Sequence, residues 1–376
     1  MIENELNYWL ALTQLRGWRT ENVNNLIVKV LHNNKSSLEE FFALDKSELI
    51  NKYELSEKEC DDISSVKEQL PQLAFVVEDL VAQGYEIITI NSPHYSEILK
   101  NNLKLKSSPP VLYIKGNKQI LKEKSIAIIG SRDASEISLQ FTDNIAKLAA
   151  SQFRVVVSGF AKGVDKQALD SSIKYIGQSI IVLPNGIMTF DWGFKKYYQE
   201  IVRGDVLVLS TFFPKAPWSA QLAMARNPII YGLADEIYVA QSADKGGTWA
   251  GVSDGLRRGR KIFVRYPEAG ENNSNLLLIE KGAIPVDFDG KPVEGLSVGT
   301  SAQNNPQIDK DELTGKIKIL LEKGEMSSKE IKEKLGLDLA ISKLTNLIKD
   351  IDGIQCLKSR PVKFRLESSK TENLFS

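Results

Sequence analysis

The sequence is poor in the residues that build most metal and catalytic centres. It has two cysteines, Cys60 and Cys356, and two histidines, His32 and His94, among 376 residues. No CxxC pair occurs, which excludes a zinc ribbon or a redox motif and argues against a disulfide framework. So few histidines also argue against a histidine-based metal site and a Ser-His-Asp triad. We therefore expect reduced thiols, no metal and no other cofactor.

Long apolar runs and an excess of one charge are also missing. No stretch of 18 apolar residues occurs, so no transmembrane helix is predicted. The N-terminus MIENELNYWL lacks the basic and apolar regions of a secretory signal, and we expect a cytoplasmic protein with no membrane partner. Lys plus Arg and Asp plus Glu number 48 each, which excludes a strongly basic nucleic-acid binder but permits a local basic patch.

Residues 1–80 are predicted to form a helical domain. Apolar residues recur at helical spacing, and Ser56-Glu57-Lys58-Glu59 has the form of a capping box. Two helices around Gly17 are typical of a SAM or helix-hairpin-helix domain, which grips the DNA backbone, or of a small domain that only packs. We favour the second of these.

Residues 81–300 alternate strands with helices. Strands that are apolar throughout are buried on both faces, as in a parallel sheet between two helix layers. The alternation predicts βαβ units with right-handed crossovers and therefore a doubly wound, Rossmann-like α/β domain. The predicted strands are 85–90, 111–114, 125–129, 155–157, 179–183, 205–210, 236–241, 261–266 and 283–288.

The C-terminal part is predicted to be a separate domain. Residues 301–309 are polar and are expected to be a linker, and residues 368–376 a disordered tail. Between them, residues 310–367 show three helical patterns and two short strands, which predict a winged helix. This domain is only mildly basic, so DNA binding and packing against protein are equal alternatives. The side chains expected on the solvent side of its third helix are Ser342, Lys343, Thr345, Asn346 and Lys349.

Glycines, polar residues and cations collect at the carboxyl ends of the central strands, where ligands bind in an open α/β sheet. Glycine lets the backbone approach an anion closely. A helix N-terminus adds N–H donors and a partial positive charge. We therefore predict a phosphate-binding groove. Its expected residues are Gly130, Ser131, Arg132, Ser158, Gly159, Lys162, Gly163, Arg226, Asn227, Lys245, Gly246, Gly247 and Thr248.

The same loops lack the motifs of common nucleotide enzymes. Neither GxGxxG nor GxxxxGK[ST] occurs. Asp165 is the one acid there, and we attribute it to stabilisation of a helix dipole. Donors without acid–base groups hold phosphates rather than cut them, so we expect no enzyme. Phe160, Tyr231 and Trp249 either stack on bases or pack in the core, and core packing is favoured.

Three segments, Ile126–Arg132, Val156–Asp165 and Ala225–Leu233, together resemble the DNA-processing protein A family (DprA, also called Smf). The resemblance implies a Rossmann core that binds single-stranded DNA without sequence preference and forms a dimer. It further implies delivery of the strand to the RecA recombinase during transformation and recombination, without catalysis. By the same resemblance, the strand-binding pocket is lined by Arg132, Ser158, Gly159, Lys162 and Arg226.

The chain departs from the family pattern at this pocket. A usual histidine is Leu169, a usual second arginine is Pro228, and a usual Ser-Gly-Ser-Leu is replaced at 245–249. These changes leave open whether the pocket binds DNA or a nucleotide. One alternative is a nucleotide-binding or nucleoside-monophosphate-cleaving Rossmann protein, although Asp254 stands where a glutamate is expected. The other is a winged-helix transcription regulator, which requires sequence-specific duplex binding.

Overall fold

The computed structural model describes residues 5–293 and, with gaps at 323, 337–340, 350, 352 and 358–361, residues 310–366. The chain divides into two compact units, one ending at Val298 and the other beginning at Gly299. The predicted linker 301–309 and tail 368–376 lie outside the described residues.

The first unit begins with helices separated by short turns. Three of them start with a reciprocal capping box, formed by Ser37 with Glu40, Asp45 with Glu48, and Ser56 with Glu59. The box predicted at Ser56 is therefore confirmed. The helices are α1 (Leu6–Thr13), α2 (Thr20–Ile27, continued by a π-helical turn over Val28–Asn33), α3 (Leu38–Ala43), α4 (Lys46–Tyr53), α5 (Glu57–Lys67) and α6 (Leu70–Ala82).

These helices share one hydrophobic core with the sheet that follows. Trp9 and Phe41 from the helices belong to the same buried cluster as Tyr113 and Val208 from the strands. Because this cluster is continuous, the helical segment packs directly on the α/β part and is not merely connected to it by the polypeptide chain.

A nine-stranded sheet forms the centre of the unit. Its strands are β1 (Glu86–Thr89), β2 (Val111–Lys115), β3 (Ser125–Ile129), β4 (Val155–Ser158), β5 (Ser179–Val182), β6 (Val206–Ser210), β7 (Glu236–Val239), β8 (Ile262–Arg265) and β9 (Ile284–Val286). They are ordered β1-β2-β6-β5-β4-β3-β7-β8-β9. Strands β3 to β9 are parallel, and β1 and β2 add an antiparallel edge. The predicted mixed α/β class with a large parallel sheet is confirmed.

Helices cover both faces of this sheet. Along β3, Ile126 and Ile128 enter one buried cluster while Ala127 and Ile129 enter the other. Because successive side chains point to opposite faces, a strand buried between two layers is apolar at every position. The helices are α7 (Glu97–Ser107), α8 (Glu136–Ser151), α9 (Val164–Lys174), α10 (Asp191–Lys196), α11 (Tyr198–Arg203), α12 (Ala220–Gly232), α13 (Gly247–Arg257) and α14 (Asn275–Glu280).

The order of the strands creates a crevice beside β3. Its neighbours are β4 on one side and β7 on the other, so the loops after β3 and β7 lead to helices on opposite faces. The two loops are tied together, because the Ser131 amide donates to the Gln241 carbonyl at 2.9 Å and the Thr248 hydroxyl donates to the Gly130 carbonyl at 3.0 Å.

The described residues of the second unit form three helices and a small antiparallel sheet. A capping box between Ser327 and Glu330 starts its second helix. The Thr345 hydroxyl donates to the Ile341 carbonyl and lies 2.7 Å from the Ser328 hydroxyl, and the residue is partly exposed. The side chains of Ser342, Lys343 and Asn346 lie outside the described residues. The elements are α15 (Lys310–Leu321), β10 (Met326–Ser327), α16 (Ser328–Leu335), α17 (Ile341–Lys349), β11 (Ile354–Leu357) and β12 (Lys363–Leu366).

Within residues 5–293 and the described parts of 310–366, no helix combines the length and apolarity that crossing a bilayer requires.

Candidate functional site

Two cavities lie side by side beyond the carboxyl ends of the parallel strands. One, of about 380 Å³, adjoins the loops after β3 and β7, and the other, of about 350 Å³, adjoins the loops after β4 and β5. The wall that they share is formed by Arg132, Ala161, Trp218, Ala223 and Arg226. Because of this common wall we treat the two cavities as one feature, called the groove.

Most residues predicted for the phosphate site line the groove. The larger cavity is lined by Gly130, Ser131, Arg132, Arg226, Asn227, Lys245, Gly247 and Thr248. Gly159 and Lys162 line the smaller cavity, again with Arg132 and Arg226. The topology explains this clustering, since the carboxyl ends of neighbouring parallel strands meet at one edge of a sheet.

Three predicted site residues do not line either cavity. Ser158 is 4% exposed, and its hydroxyl donates to the Ile128 carbonyl at 2.8 Å, so it holds β4 to β3 instead of facing a ligand. Gly163 and Gly246 both have positive φ, 85° and 93°, and form the turns that enter α9 and α13. These two glycines therefore shape the loops around the groove but do not contact its interior.

Gly163 brings two exposed cations of the groove, Arg132 and Lys162, to one side. A Cβ at this position would lie 2.4 Å from the Ser131 carbonyl oxygen and 2.5 Å from that of Arg132. Only glycine allows this approach, which presses the loop after β4 onto the loop after β3. Lys162 consequently lies near the Arg132 loop, with its Nζ 3.7 Å from Asp133 Oδ1. Since both partners of that ion pair are highly exposed, it contributes little and leaves the lysine charge available to a ligand.

Arg226 and Asp165 place a buried pair of opposite charges at the floor of the groove. Arg226 is 4% exposed and Asp165 is 8% exposed. Arg226 donates from Nη1 to the Val182 carbonyl at 2.9 Å, and its buried Nε has no hydrogen-bond partner among the described residues. Burial raises the pKa of the Asp165 carboxyl, and the neighbouring Arg226 opposes that shift. Burial likewise lowers the pKa of the Arg226 guanidinium, against the attraction of Asp165.

Gly159 makes room for this guanidinium. A Cβ on Gly159 would lie 1.6 Å from Arg226 Nη1 and 2.6 Å from Asp165 Oδ2. We expected the missing side chain to let an anion approach the backbone, and the structure shows a different reason for glycine. The space is filled by the protein's own arginine, so the ligand meets a cation there instead of a bare turn.

The N-terminus of α9 is less open to an anion than the sequence suggests. The Val164 amide donates to the Ser131 carbonyl at 3.3 Å, and the Lys166 amide donates to the Ala161 carbonyl at 3.0 Å. Because these donors already have partners, side-chain cations supply more of the attraction at this loop than helix N–H groups do.

The N-terminus of α13 remains the better candidate for backbone contacts. No side chain caps this helix among the described residues, and Gly247 and Thr248 at its first turn line the larger cavity. Exposed Lys245 lies just before the helix, and Asn227 approaches Gly247 from α12. A phosphate at this turn would meet amides, the helix dipole and one ammonium group together.

Two of the departures from the family pattern affect the groove only indirectly. Leu169 is 2% exposed and packs in the hydrophobic core, so it does not line the groove as the sequence suggested. Pro228 is exposed within α12 and lines a separate cavity of about 190 Å³ together with Asn227. A proline inside a helix removes one backbone donor, which leaves the Met224 carbonyl without its usual helical partner.

Aromatic side chains concentrate along the smaller cavity. Phe160 and Phe190 line it, and two tryptophans that the sequence analysis did not single out, Trp192 and Trp218, join them. Tyr231 is 8% exposed and lines the larger cavity, whereas Trp249 is half-buried against the core and lines neither. The missed signal was the position of two of the five tryptophans beside Gly193 and Pro217, outside the apolar strand pattern.

The groove offers few groups for acid–base chemistry. Asp165 is the only acid among the described residues that line its two cavities, and no histidine does so. Across the described parts of the chain, no group of three or more His, Cys, Asp or Glu side chains forms a metal site. Asp254 lines the separate cavity and bonds to Arg257 and Arg258. The cations that line the groove suit binding of an anion.

A comparison with known protein families identifies the family of this chain. Residues 86–291, more than half of the sequence, match the family described as DNA recombination-mediator protein A. The chain belongs to this family. The predicted resemblance to the DprA and Smf proteins is therefore confirmed, and the matched segment holds the sheet and every residue of the predicted site.

Individual relatives agree with this assignment. DNA processing protein DprA of Streptococcus pneumoniae is 30% identical over 157 residues, which are 42% of this chain and 55% of that protein. The chain thus spans about half the length of this relative. Protein Smf of Synechocystis is 25% identical over 289 residues, 75% of this chain and 70% of that protein. The X-ray structure of the Streptococcus pneumoniae protein superposes with a TM-score of 0.55 and 24% identity over 74% of this chain and 94% of that one, a likeness in fold.

Proposed function

We propose that this protein binds single-stranded DNA in the groove, without sequence preference, and passes the strand on during DNA processing and recombination. The observation that carries the proposal is the placement of Arg132 and Lys162 on one side of the groove, with Arg226 at the floor between the cavities. Membership of the DNA recombination-mediator protein A family supports it.

The charge of the groove fits a polyanion. Three exposed or rim cations, Arg132, Lys162 and Lys245, face one buried carboxylate, Asp165, which Arg226 already accompanies. The whole chain has no net charge, so this local excess of positive charge is what an incoming backbone would meet. Phosphate contacts of this kind hold any sequence equally, because they do not read the bases.

The recessed shape favours a single strand over a duplex. Proteins that read duplex DNA insert a helix or a ribbon into one of its grooves. Here the cations line a concavity between loops, so the nucleic acid must enter the protein. A single strand can bend into such a groove while its phosphates contact the rim.

The family relationship extends the proposal to partners. We propose that two copies of the chain associate, that a RecA-type recombinase receives the bound strand in the cytoplasm, and that the protein performs no catalysis. We also propose that residues 1–80 form a helical domain that packs on the α/β part, and that residues 310–367 form a winged-helix domain. These statements rest on the family likeness and on the element order, and a pull-down of the recombinase in the presence of oligonucleotide tests the partner.

Salt-dependent binding of a labelled oligo-dT tests the proposed site. If three phosphates are neutralised, the slope of log K against log salt is roughly −2, at about −0.7 per phosphate for single strands. Arg132→Ala and Lys162→Ala should each weaken binding to all sequences alike and flatten the slope by about 0.7. Lys124→Ala is the matched control, because Lys124 is exposed just before β3, at the opposite edge of the sheet. Unchanged binding in both groove variants would refute the site.

The two alternative functions have their own tests. Incubation with nucleoside monophosphates should release no free base, since Asp254 is held by two arginines away from the groove. A gel-shift comparison should show preference for single strands over duplex, whereas a transcription regulator would prefer one duplex sequence.

A further inference from the structure

The smaller cavity of the groove is walled by aromatic rings as well as by cations. Phe160 forms edge-on contacts with Phe190 and Tyr197, with ring centroids 4.9 and 5.8 Å apart. Phe160 itself has a φ of +62°, an unusual conformation for a bulky residue. The turn after β4 is thus held in a strained shape that presents this ring to the cavity.

Two tryptophans stand at the outer edge of this ring cluster. Trp192 is 63% exposed and Trp218 is 56% exposed, and both line the smaller cavity. Trp192 lies 6.2 Å from Phe160 between ring centroids, and the Lys196 ammonium is 5.7 Å from its ring centre. Trp218 also lines the larger cavity, so it stands where the two cavities join. The Trp192 ring is therefore held on one side by Phe160 and Lys196 and open to solvent on the other, while Trp218 offers an exposed ring where the cavities meet.

We propose that Trp192 and Trp218 form a stacking platform for unpaired bases, so that the groove holds a strand by its base faces as well as by its phosphates. Packing does not account for these rings, because more than half of each is exposed. An apolar protein partner is a poor match, since Arg132, Lys162 and Arg226 line the same cavity. Rings beside cations are the combination that single-stranded nucleic acids use, with bases on the rings and phosphates on the cations.

The platform also provides selectivity for single-stranded over duplex DNA. In a duplex the face of each base is covered by its neighbours, so an exposed indole gains nothing from it. In a single strand every base has an accessible face, and stacking is tolerant of sequence. This inference rests on the proposed function and names the part of the strand that the smaller cavity recognises.

A comparison of oligo-dT with an abasic oligonucleotide of equal length tests the platform. Wild-type protein should bind oligo-dT about tenfold or more tighter than the abasic strand, since loss of base stacking typically costs that much. The Trp192→Ala/Trp218→Ala variant should lose this preference while keeping the abasic affinity and the salt slope. Trp192→Phe keeps an aromatic face and should retain most of the preference.

Tyr198→Ala is the matched control, because Tyr198 is 59% exposed on the neighbouring helix α11 but does not line either cavity. A wild-type protein that binds both strands equally would overturn the platform and leave the phosphate groove standing. A double variant that loses both strands in parallel would overturn it too, by showing that the indoles only support the cations. Failure of the wild-type protein to bind either strand would overturn the proposed function and the platform together.

Discussion

Replacing Gly159 with alanine should displace Arg226 from the floor of the groove. The added Cβ would lie 1.6 Å from Arg226 Nη1 and 2.4 Å from its Cζ. Carbon and nitrogen atoms rest about 3.5 Å apart without repulsion, so the guanidinium must move by roughly 2 Å. That movement breaks its 2.9 Å hydrogen bond to the Val182 carbonyl.

The energetic cost follows from that hydrogen bond and from the buried charge. A hydrogen bond to a charged group contributes about 1.5–3 kcal/mol, and overpacking of a filled site costs about 1–3 kcal/mol. Part of the strain is relieved when Arg226 turns towards the cavity, so we expect a loss of about 2–3 kcal/mol in the free energy of unfolding. At about 2 °C per kcal/mol for a unit of this size, Tm falls by roughly 4–6 °C. The displaced arginine also fills the cavity, and oligo-dT affinity should fall about tenfold.

Thermal unfolding and oligo-dT titration, measured on the same preparations, test this prediction. Gly259→Ala is the control, since Gly259 has a φ of +70° and no atom lies within 4 Å of an added Cβ. That change strains the backbone by about 1–2 kcal/mol but leaves the groove intact, so it should lower Tm without altering affinity. If Gly159→Ala keeps both the wild-type Tm and the wild-type affinity, Arg226 does not rest against Gly159 and the description of the groove floor is wrong.

Three further predictions concern stability, charge and redox state. Glu271→Gln should destabilise the protein by about 3–5 kcal/mol at pH 7 in urea unfolding, because it leaves Arg265, which is fully buried, without its carboxylate. Hydrogen bonds from Arg265 lower the pKa of Glu271 below 4.5. The stabilisation by this ion pair is therefore present above pH 4.5 and is lost as the pH falls through the lowered pKa. A Glu271→Gln variant whose stability falls with acid in the same way as that of the wild type would contradict this prediction. Lys245→Ala should weaken oligo-dT binding and flatten the salt slope by about 0.7, because Lys245 lines the groove, whereas Pro228→Ala, which restores only a backbone donor away from the groove, should raise Tm alone. Chelator or reductant should leave oligo-dT binding unchanged, and any loss of affinity would reveal a metal or disulfide requirement.

The sheet was predictable because its strands carry a simple pattern. Every segment predicted as a strand in the central region contributes one, since burial on both faces demands apolar residues at each position. Helices α10 and α11 were missed, because they are six residues each and lie in a stretch interrupted by Gly193. Short helices of this kind depend on packing, which no local pattern records.

The sequence predicted which loops form the candidate site, but it did not predict the contacts between their side chains. Parallel topology alone brings Arg132, Lys162 and Lys245 to one edge. The position of Arg226 over Gly159 depends on how α12 crosses β5, a contact between residues far apart in the chain. The hydrogen bonds of the α9 amides were also not predictable, because their acceptors come partly from the loop after β3. A glycine at a strand end therefore predicts that some group lies close to its backbone, but it does not identify that group as a ligand or as a side chain of the protein.

The neutrality of the whole chain limits how the proposed binding of a strand can work. With equal numbers of cationic and acidic residues, the protein has no net field to draw DNA from a distance, and any local potential decays within about 8 Å at physiological salt. In the proposed function, attraction then acts mainly after the strand has reached the groove, where Arg132 and Lys162 lie on the exposed rim and Arg226 is shielded from solvent. A shielded cation is weakened less by salt than an exposed one, so Arg226 keeps its influence when the rim contacts are screened. Burial of the guanidinium costs free energy, and Asp165 beside it offsets part of that cost. In the proposed function the arginine at the floor therefore supplies the part of the attraction that salt weakens least, while the rim cations set how steeply the affinity depends on salt.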